Sequence, residues 1–159
     1  MLGAGEVGAH PVRDVADPDD MRTLAERAPE LLGGPTSLMI NNAGVGIGGR
    51  PVGAIGLDDW DWALGINLRG MVYGSELFLP QLHESGRGGL INVASAAAFA
   101  AGPGMGPYNV TKHGVVTLSE TLYHELKAKG SKVGISVLCP GHVNTNIWHS
   151  ERNRPDELA

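Results

Sequence analysis

Three short apolar runs, Ser37-Leu38-Met39-Ile40, Gly89-Leu90-Ile91-Asn92-Val93 and Val133 to Leu138, are separated by long stretches whose apolar residues recur at spacings of three and four. Short apolar strands that alternate with amphipathic helices have one common solution, a parallel sheet with covering helices, so the chain is α/β. Asp17-Pro18 supplies a cap and a first residue for a helix to about Leu32, stopped by Gly33-Gly34-Pro35. A second helix is predicted from Asp58 to about Glu84 on Trp60, Leu64, Leu68, Met71, Leu79 and Leu82. A third is predicted from about Pro107 to Lys129 on Val115, Leu118, Leu122 and Leu126. His10 to Val15 reads as a further short strand.

The 159 residues form one domain, with 42% hydrophobic and 18% charged residues, a balance that supports a core and argues against disorder. A net charge of −5 without a Lys/Arg block offers no footprint for nucleic acid or an anionic membrane. No run of 18 apolar residues exists to span a bilayer, and no basic flank with an apolar stretch opens the chain. The single cysteine, Cys139, forms no internal disulfide, so a reducing cytoplasm is the expected setting. Gly3-Ala4-Gly5-Glu6-Val7-Gly8 matches G-x-G-x-x-G, but only two residues precede it and His10-Pro11 follows, so it reads as a loop.

Tyr108 and Lys112 share a helix face at i, i+4, and so do Tyr123 and Lys127 on the same predicted helix. Position separates the pairs. Ligands of open α/β sheets bind beyond the carboxyl ends of the strands, and Tyr108 lies in the first turn after such an end, whereas Tyr123 is about 22 Å further along the axis. Ser95 stands two residues past the strand that ends at Val93, on the same edge. Metal and nucleophile chemistry find less support. His83-Glu84 and His124-Glu125 lack the second histidine of H-E-x-x-H, Cys139 beside His142 reads as a small buried residue, and no G-x-S-x-G occurs. No metal is expected.

Asn42-Ala43-Gly44, Asn67 inside a helix, Ser95, Tyr108-x-x-x-Lys112 thirteen residues after Ser95, and Pro140-Gly141 with Thr145 together resemble the short-chain dehydrogenase/reductase family, from about Asp14 to Thr145. The resemblance implies a Rossmann-like, doubly wound parallel sheet, NAD or NADP as cofactor, and hydride transfer between a secondary alcohol and a ketone. It implies that Tyr108 exchanges the proton with the substrate oxygen, that Ser95 hydrogen-bonds and orients that oxygen, and that Lys112 favours the ionised phenol and holds the nicotinamide ribose. Asn67 would position a water linking Lys112 to solvent. An ammonium ~5 Å from a phenol, at an effective dielectric of about 20, favours the phenolate by roughly 3 kcal/mol. Implied cofactor contacts are Asp14 and Val15 near the adenine, Asn42, Ala43 and Gly44 beside the adenosine ribose, and Pro140, Gly141, Val143 and Thr145 around the nicotinamide.

The family's opening strand, its glycine-rich turn and helix, its second strand, its last strand and most of the segment after Ile147 have no counterpart in this sequence. Residues 1–159 are therefore expected to form a partial NAD(P)-binding domain with an incomplete sheet. In the family's strand order, 3-2-1-4-5-6, the segment around Val12 loses its link to the one around Met39, leaving a bare hydrophobic edge. The isolated chain is expected to be poorly stable and to bind dinucleotide weakly or not at all, while its full-length parent is active. Members of the family associate through the helices that begin here at Asp58 and Pro107, which implies a homo-oligomer. The small apolar loop from Ala96 to Met105 points to an apolar substrate. Two other readings stand beside the oxidoreductase. One is an extended-branch epimerase or dehydratase, which shares Tyr-x-x-x-Lys but is disfavoured by Asn-Asn-Ala-Gly and Pro-Gly; the other is a noncatalytic fragment serving as a binding or oligomerisation module.

Overall fold

A computed structural model describes residues 13–155. Asp17 opens the first helix, α1 (Pro18–Leu32), by accepting hydrogen bonds from the amides of Asp19 and Asp20 at 2.7 and 3.3 Å. A cap of this kind is worth about 1 kcal/mol. Gly33 ends the helix in the left-handed region at φ 72°, where a side chain would be strained.

The strand predicted over His10 to Val15 is not formed in its described part. The Asp14 carbonyl accepts from the Asp17 amide at 3.1 Å, its carboxylate accepts from the Ala16 amide at 2.9 Å, and its own amide donates to Asp20 at 2.9 Å. An aspartate-rich turn thus takes up the backbone groups that a strand would offer to a neighbour. His10 to Val12 and the glycine-rich stretch Gly3 to Gly8 lie outside the described residues.

The apolar runs form β1 (Leu38–Asn41), β2 (Gly89–Val93) and β3 (Gly134–Leu138), in that spatial order in one parallel sheet. Leu38 lies opposite Gly89, and Gly89 opposite Gly134. All three carboxyl ends therefore open onto the same edge.

Between β1 and β2 the single predicted helix is broken into α2 (Leu57–Leu64), a π-helical turn (Gly65–Arg69) and α3 (Gly70–Glu84). The Gly70 amide reaches the Gly65 carbonyl five residues back, the signature of a local widening that is common at functional sites. The apolar stripe runs through the break unchanged, so residue spacing carries no trace of it. α4 (Gly106–Ala128) joins β2 to β3.

α3 and α4 cover one face of the sheet, where Leu82, Leu122 and Leu126 pack on Leu90, Met39 and Ile135. α1 lies beside α3, with Met21, Ala25 and Ala28 against Phe78. Burying each large side chain such as Leu82 or Leu90 contributes about 2 kcal/mol. Strand alternation sends Leu38, Ile40 and Leu138 to the opposite face. There they are 55%, 50% and 55% exposed. Among the described residues no element covers them, and nothing pairs with the outer edge of β1. Replacing Leu38 and Ile40 together by lysine is expected to raise the concentration at which the isolated chain begins to scatter light. An unchanged onset would show that this face is not the adhesive surface.

Candidate active site

The carboxyl edge of the sheet carries nearly all of the residues singled out above. Tyr108 and Lys112 occupy the first turns of α4, and both are buried, at 9% and 3% exposure. The Lys112 ammonium lies 5.7 Å from the centre of the Tyr108 ring and donates to the Val93 carbonyl, at the end of β2, at 3.0 Å. The Tyr123–Lys127 pair has almost the same internal geometry, with the ammonium 5.5 Å from the ring centre, but Tyr123 is 46% exposed. Identical spacing gives one buried pair facing the strand ends and one solvated pair.

Gly44 meets Lys112 from the β1 side. A methyl group at Gly44 would sit 3.4 Å from the ammonium nitrogen and 3.3 Å from Asn67 Oδ1. Asn67, fully buried in the π turn, binds the next residue in both directions. Its Oδ1 accepts from the Val45 amide at 2.7 Å, and its Nδ2 donates to the Val45 carbonyl at 2.9 Å. Nδ2 also reaches Thr111 Oγ1 at 3.4 Å, and that hydroxyl donates to the Tyr108 carbonyl at 2.8 Å. Asn67 therefore pins the loop after β1 to the first turn of α4. Asn41, two strand positions from Met39, forms a separate buried network: Nδ2 donates to Asn92 Oδ1 at 2.8 Å, and Asn92 Nδ2 donates to Ser119 Oγ at 3.0 Å.

Ser95 caps a short 3-10 turn, Ala96–Ala98, by accepting from the Ala97 amide at 3.2 Å. Ala97 packs on the apolar cluster of Val45, Ile47, Trp62, Ala63 and Tyr108. The Ala96 amide donates to the Pro140 carbonyl at 2.9 Å, joining this turn to the loop after β3. In that loop Gly141, Val143 and Thr145 are exposed, and Thr145 Oγ1 accepts from the Ile147 amide at 3.4 Å.

Val15, Asn42 and Ala43 line a cleft of about 300 Å³ between α1, the π turn and the end of β1, together with Ile66 and Met71. Asp14 stands outside it, exposed and engaged in its own turn. Sequence reasoning did not reach Thr111, Val45 or the Val93 carbonyl, since two of these act through their backbone and Thr111 carries no distinguishing pattern. Among the described residues no cluster of three His, Cys, Asp or Glu side chains could hold a metal, and no helix is long and apolar enough to cross a membrane.

Burial lowers the pKa of Lys112 to about 8 from the ordinary 10.5, because desolvation disfavours the charged form. The group is still mostly protonated at pH 7. The unfolded chain binds more protons between pH 8 and 10.5, so stability rises with pH across that window and the contribution is lost as pH falls through 8. At 1.36 kcal/mol per unit the change is about 3 kcal/mol. Urea unfolding at pH 7 and pH 10.5 is expected to show wild type gaining about that much relative to Lys112→Met. An unchanged difference between the two proteins would place the ammonium in water.

With this geometry in hand, a family model described as short chain dehydrogenase matches residues 5–156. The chain belongs to the short chain dehydrogenase family. It is 32% identical over 156 residues to the C alpha-dehydrogenase of Sphingobium sp., covering 98% of this chain and 50% of that protein. It is 32% identical over 147 residues to the CLA biosynthesis dehydrogenase/reductase of Lactiplantibacillus plantarum, covering 92% of this chain and 51% of that one. Among solved structures, a short chain dehydrogenase/reductase from Burkholderia phymatum in complex with NAD superposes with a TM-score of 0.88 at 40% identity, over 92% of this chain and 52% of that chain. The 3-ketoacyl-(acyl-carrier-protein) reductase of Brucella melitensis, complexed with NADH, gives 0.80 at 26% identity, over 87% and 57%. The chain thus spans about half the length of the relatives it matches, and its Rossmann-like sheet is represented by three parallel strands.

Proposed function

We propose that this sequence carries the proton-transfer machinery of an NAD(P)-dependent oxidoreductase that interconverts a secondary alcohol and a ketone. The observation that carries the reading is the burial of the Lys112 ammonium between the Val93 carbonyl, Gly44 and the Tyr108 ring, in contrast to the exposed pair of the same spacing at Tyr123 and Lys127. The ammonium is thereby held in place beside the phenol that carries the proton to be transferred. Tyr108 then gives that proton to a ketone oxygen, or takes it from an alcohol, as a general acid or base. Ser95 donates a hydrogen bond to the same oxygen and orients it. Asn67 and Thr111 hold the Gly44–Val45 backbone and the first turn of α4 in register around Lys112.

A nicotinamide dinucleotide, when bound, supplies or accepts the hydride. The residues present fit its outline: the cleft of about 300 Å³ offers a largely apolar slot with Asn42 at its rim, suited to a flat ring and a diol. Val15, Asn42 and Ala43 would line the adenosine end, with Asp14 at its margin. Gly44 would sit with them beside the adenosine ribose, Lys112 would face the nicotinamide ribose, and Pro140, Gly141, Val143 and Thr145 the nicotinamide. Tyr108 belongs to an apolar cluster with Val45, Ile47, Trp62 and Ala63, against which Ala97, Met105 and Ile147 pack, surroundings that favour an uncharged, apolar carbonyl compound.

The test is cofactor consumption by a polypeptide carrying this sequence at the full length of its relatives, assayed over a panel of ketones. Deuterium placed at both C4 positions of the reduced cofactor should appear on the carbinol carbon of an apolar product. Turnover without label transfer would sink the hydride reading, and preference for charged ketones would sink the substrate class.

A further inference from the structure

We propose that Arg154 is the clasp that holds the segment Asn146–Asn153 down across the substrate side of the site, as a positioning residue for Ile147; the role in turnover rests on the oxidoreductase reading, whereas the clasp itself does not. After β3 the chain returns over the loop that follows β1 and, among the described residues, is seated there by few contacts. The Gly46 amide donates to Ser150 Oγ at 2.8 Å, and Ser150 is 3% exposed. Ile147 joins the apolar cluster that contains Val45, Ile47 and Tyr108. The approach is close enough that a methyl group at Gly46 would lie 3.0 Å from the Ile147 carbonyl oxygen. Most of the remaining segment is exposed, Trp148 at 66%, and its two short turns are separated by a kink at His149. So sparse an anchorage belongs to the least stable part of a fold.

Arg154 closes the far end. Its guanidinium donates to Asp59 Oδ1 on α2 at 2.7 Å and to Glu151 Oε2 at 2.6 Å, and it lies 4.6 Å above the Trp62 ring. The Arg154 and Asp59 side chains are only 14% and 20% exposed, so solvent screens this pair less than a surface ion pair. A planar fork that pairs with carboxylates while stacking on an indole cannot be reproduced by a lysine. Trp62 is 6% exposed and sits in the same cluster as Tyr108. The clasp therefore fixes the strap to the wall that faces the phenol, and its release would lift Ile147 away from that wall.

Native-state hydrogen exchange on the chain tests the clasp without any reference to turnover. In Arg154→Met, the amides of residues 145–153 and of Gly46 should exchange roughly tenfold faster or more, as expected for loss of charge-assisted hydrogen bonds, while α3 and α4 keep their rates. Asp59→Asn should give a smaller rise in the same region, and Arg154→Lys should retain part of the protection. Unchanged exchange of 145–153 in Arg154→Met, or an equal rise throughout α3 and α4, would overturn the proposal. At full length, Arg154→Met should raise KM for an apolar ketone and leave kcat nearly unaltered. A fall in kcat at constant KM would likewise count against it, whereas inactivity of the wild type would bear on the oxidoreductase reading and leave the exchange result to decide the clasp.

Discussion

At the full length of its relatives, Tyr108→Phe is expected to lower turnover by about a hundred- to ten-thousandfold, the range supplied by a well-placed general acid or base. The substitution removes one hydroxyl and keeps the ring. The ring packs against Val45, Ile47, Trp62 and Ala63, so the thermal midpoint should stay within a few degrees of wild type. Retained fold with lost turnover distinguishes chemistry from packing. Tyr123→Phe is the internal control, because that pair repeats the spacing and the ring-to-ammonium distance at an exposed position. It should leave turnover unchanged. Steady-state rates at saturating cofactor decide the matter: equal losses in both variants would mean that neither phenol is the proton donor, and no loss at Tyr108 would remove the proposed mechanism.

The second large effect concerns stability. Gly74, on α3, lies against the side chain of Asn41, and a methyl group there would come within 2.8 Å of Asn41 Cγ and closer still to Oδ1. Asn41 cannot swing aside freely, being 6% exposed and tied to Asn92 and, at 3.4 Å, to the Met71 carbonyl. Gly74→Ala gains about 1 kcal/mol of helix propensity. Against that gain stand overpacking, typically 1 to 3 kcal/mol, and a disrupted buried amide network of about the same size. The expected net loss is about 3 kcal/mol in urea unfolding. Gly34→Ala, with nothing within 4 Å of the added carbon, should cost little. The double variant Gly74→Ala with Asn41→Ala should recover part of the loss, since the clash then disappears. A double variant no better than the sum of the singles would show that the two positions do not meet.

The strands and α4 were legible because their signals are local: apolar runs of four to six residues, a stripe at helical spacing, and glycine or proline at the ends. Asp17-Pro18 and Gly33 marked α1 for the same reason. The π turn was not legible, since Leu64, Leu68 and Met71 keep the stripe of one continuous helix while Asn67 draws the backbone toward Val45. The strand expected through Val15 is not formed over its described part because Asp14, Asp17 and Asp20 satisfy the backbone within the turn, a competition that an apolar-run criterion does not weigh. Tyr108 and Lys112 could be ranked above Tyr123 and Lys127 by their place after a strand. Their partners could not be found that way, because Val93 and Val45 contribute only peptide groups and Arg154 meets Asp59 from 95 positions away.

The parallel register has a consequence for how competence could be lost. The phenol and the ammonium come from a single helical turn, but many of the groups that surround them arrive on separate stretches of chain that the strands deliver to the common edge, with others from α2 and the π turn. A chain that kept every helix while a strand slipped by one residue would look almost unaltered by circular dichroism and would have a scattered site. Helical content is therefore a poor proxy for function here, and protection of the Val45 and Ala94 amides from exchange would report assembly far more directly.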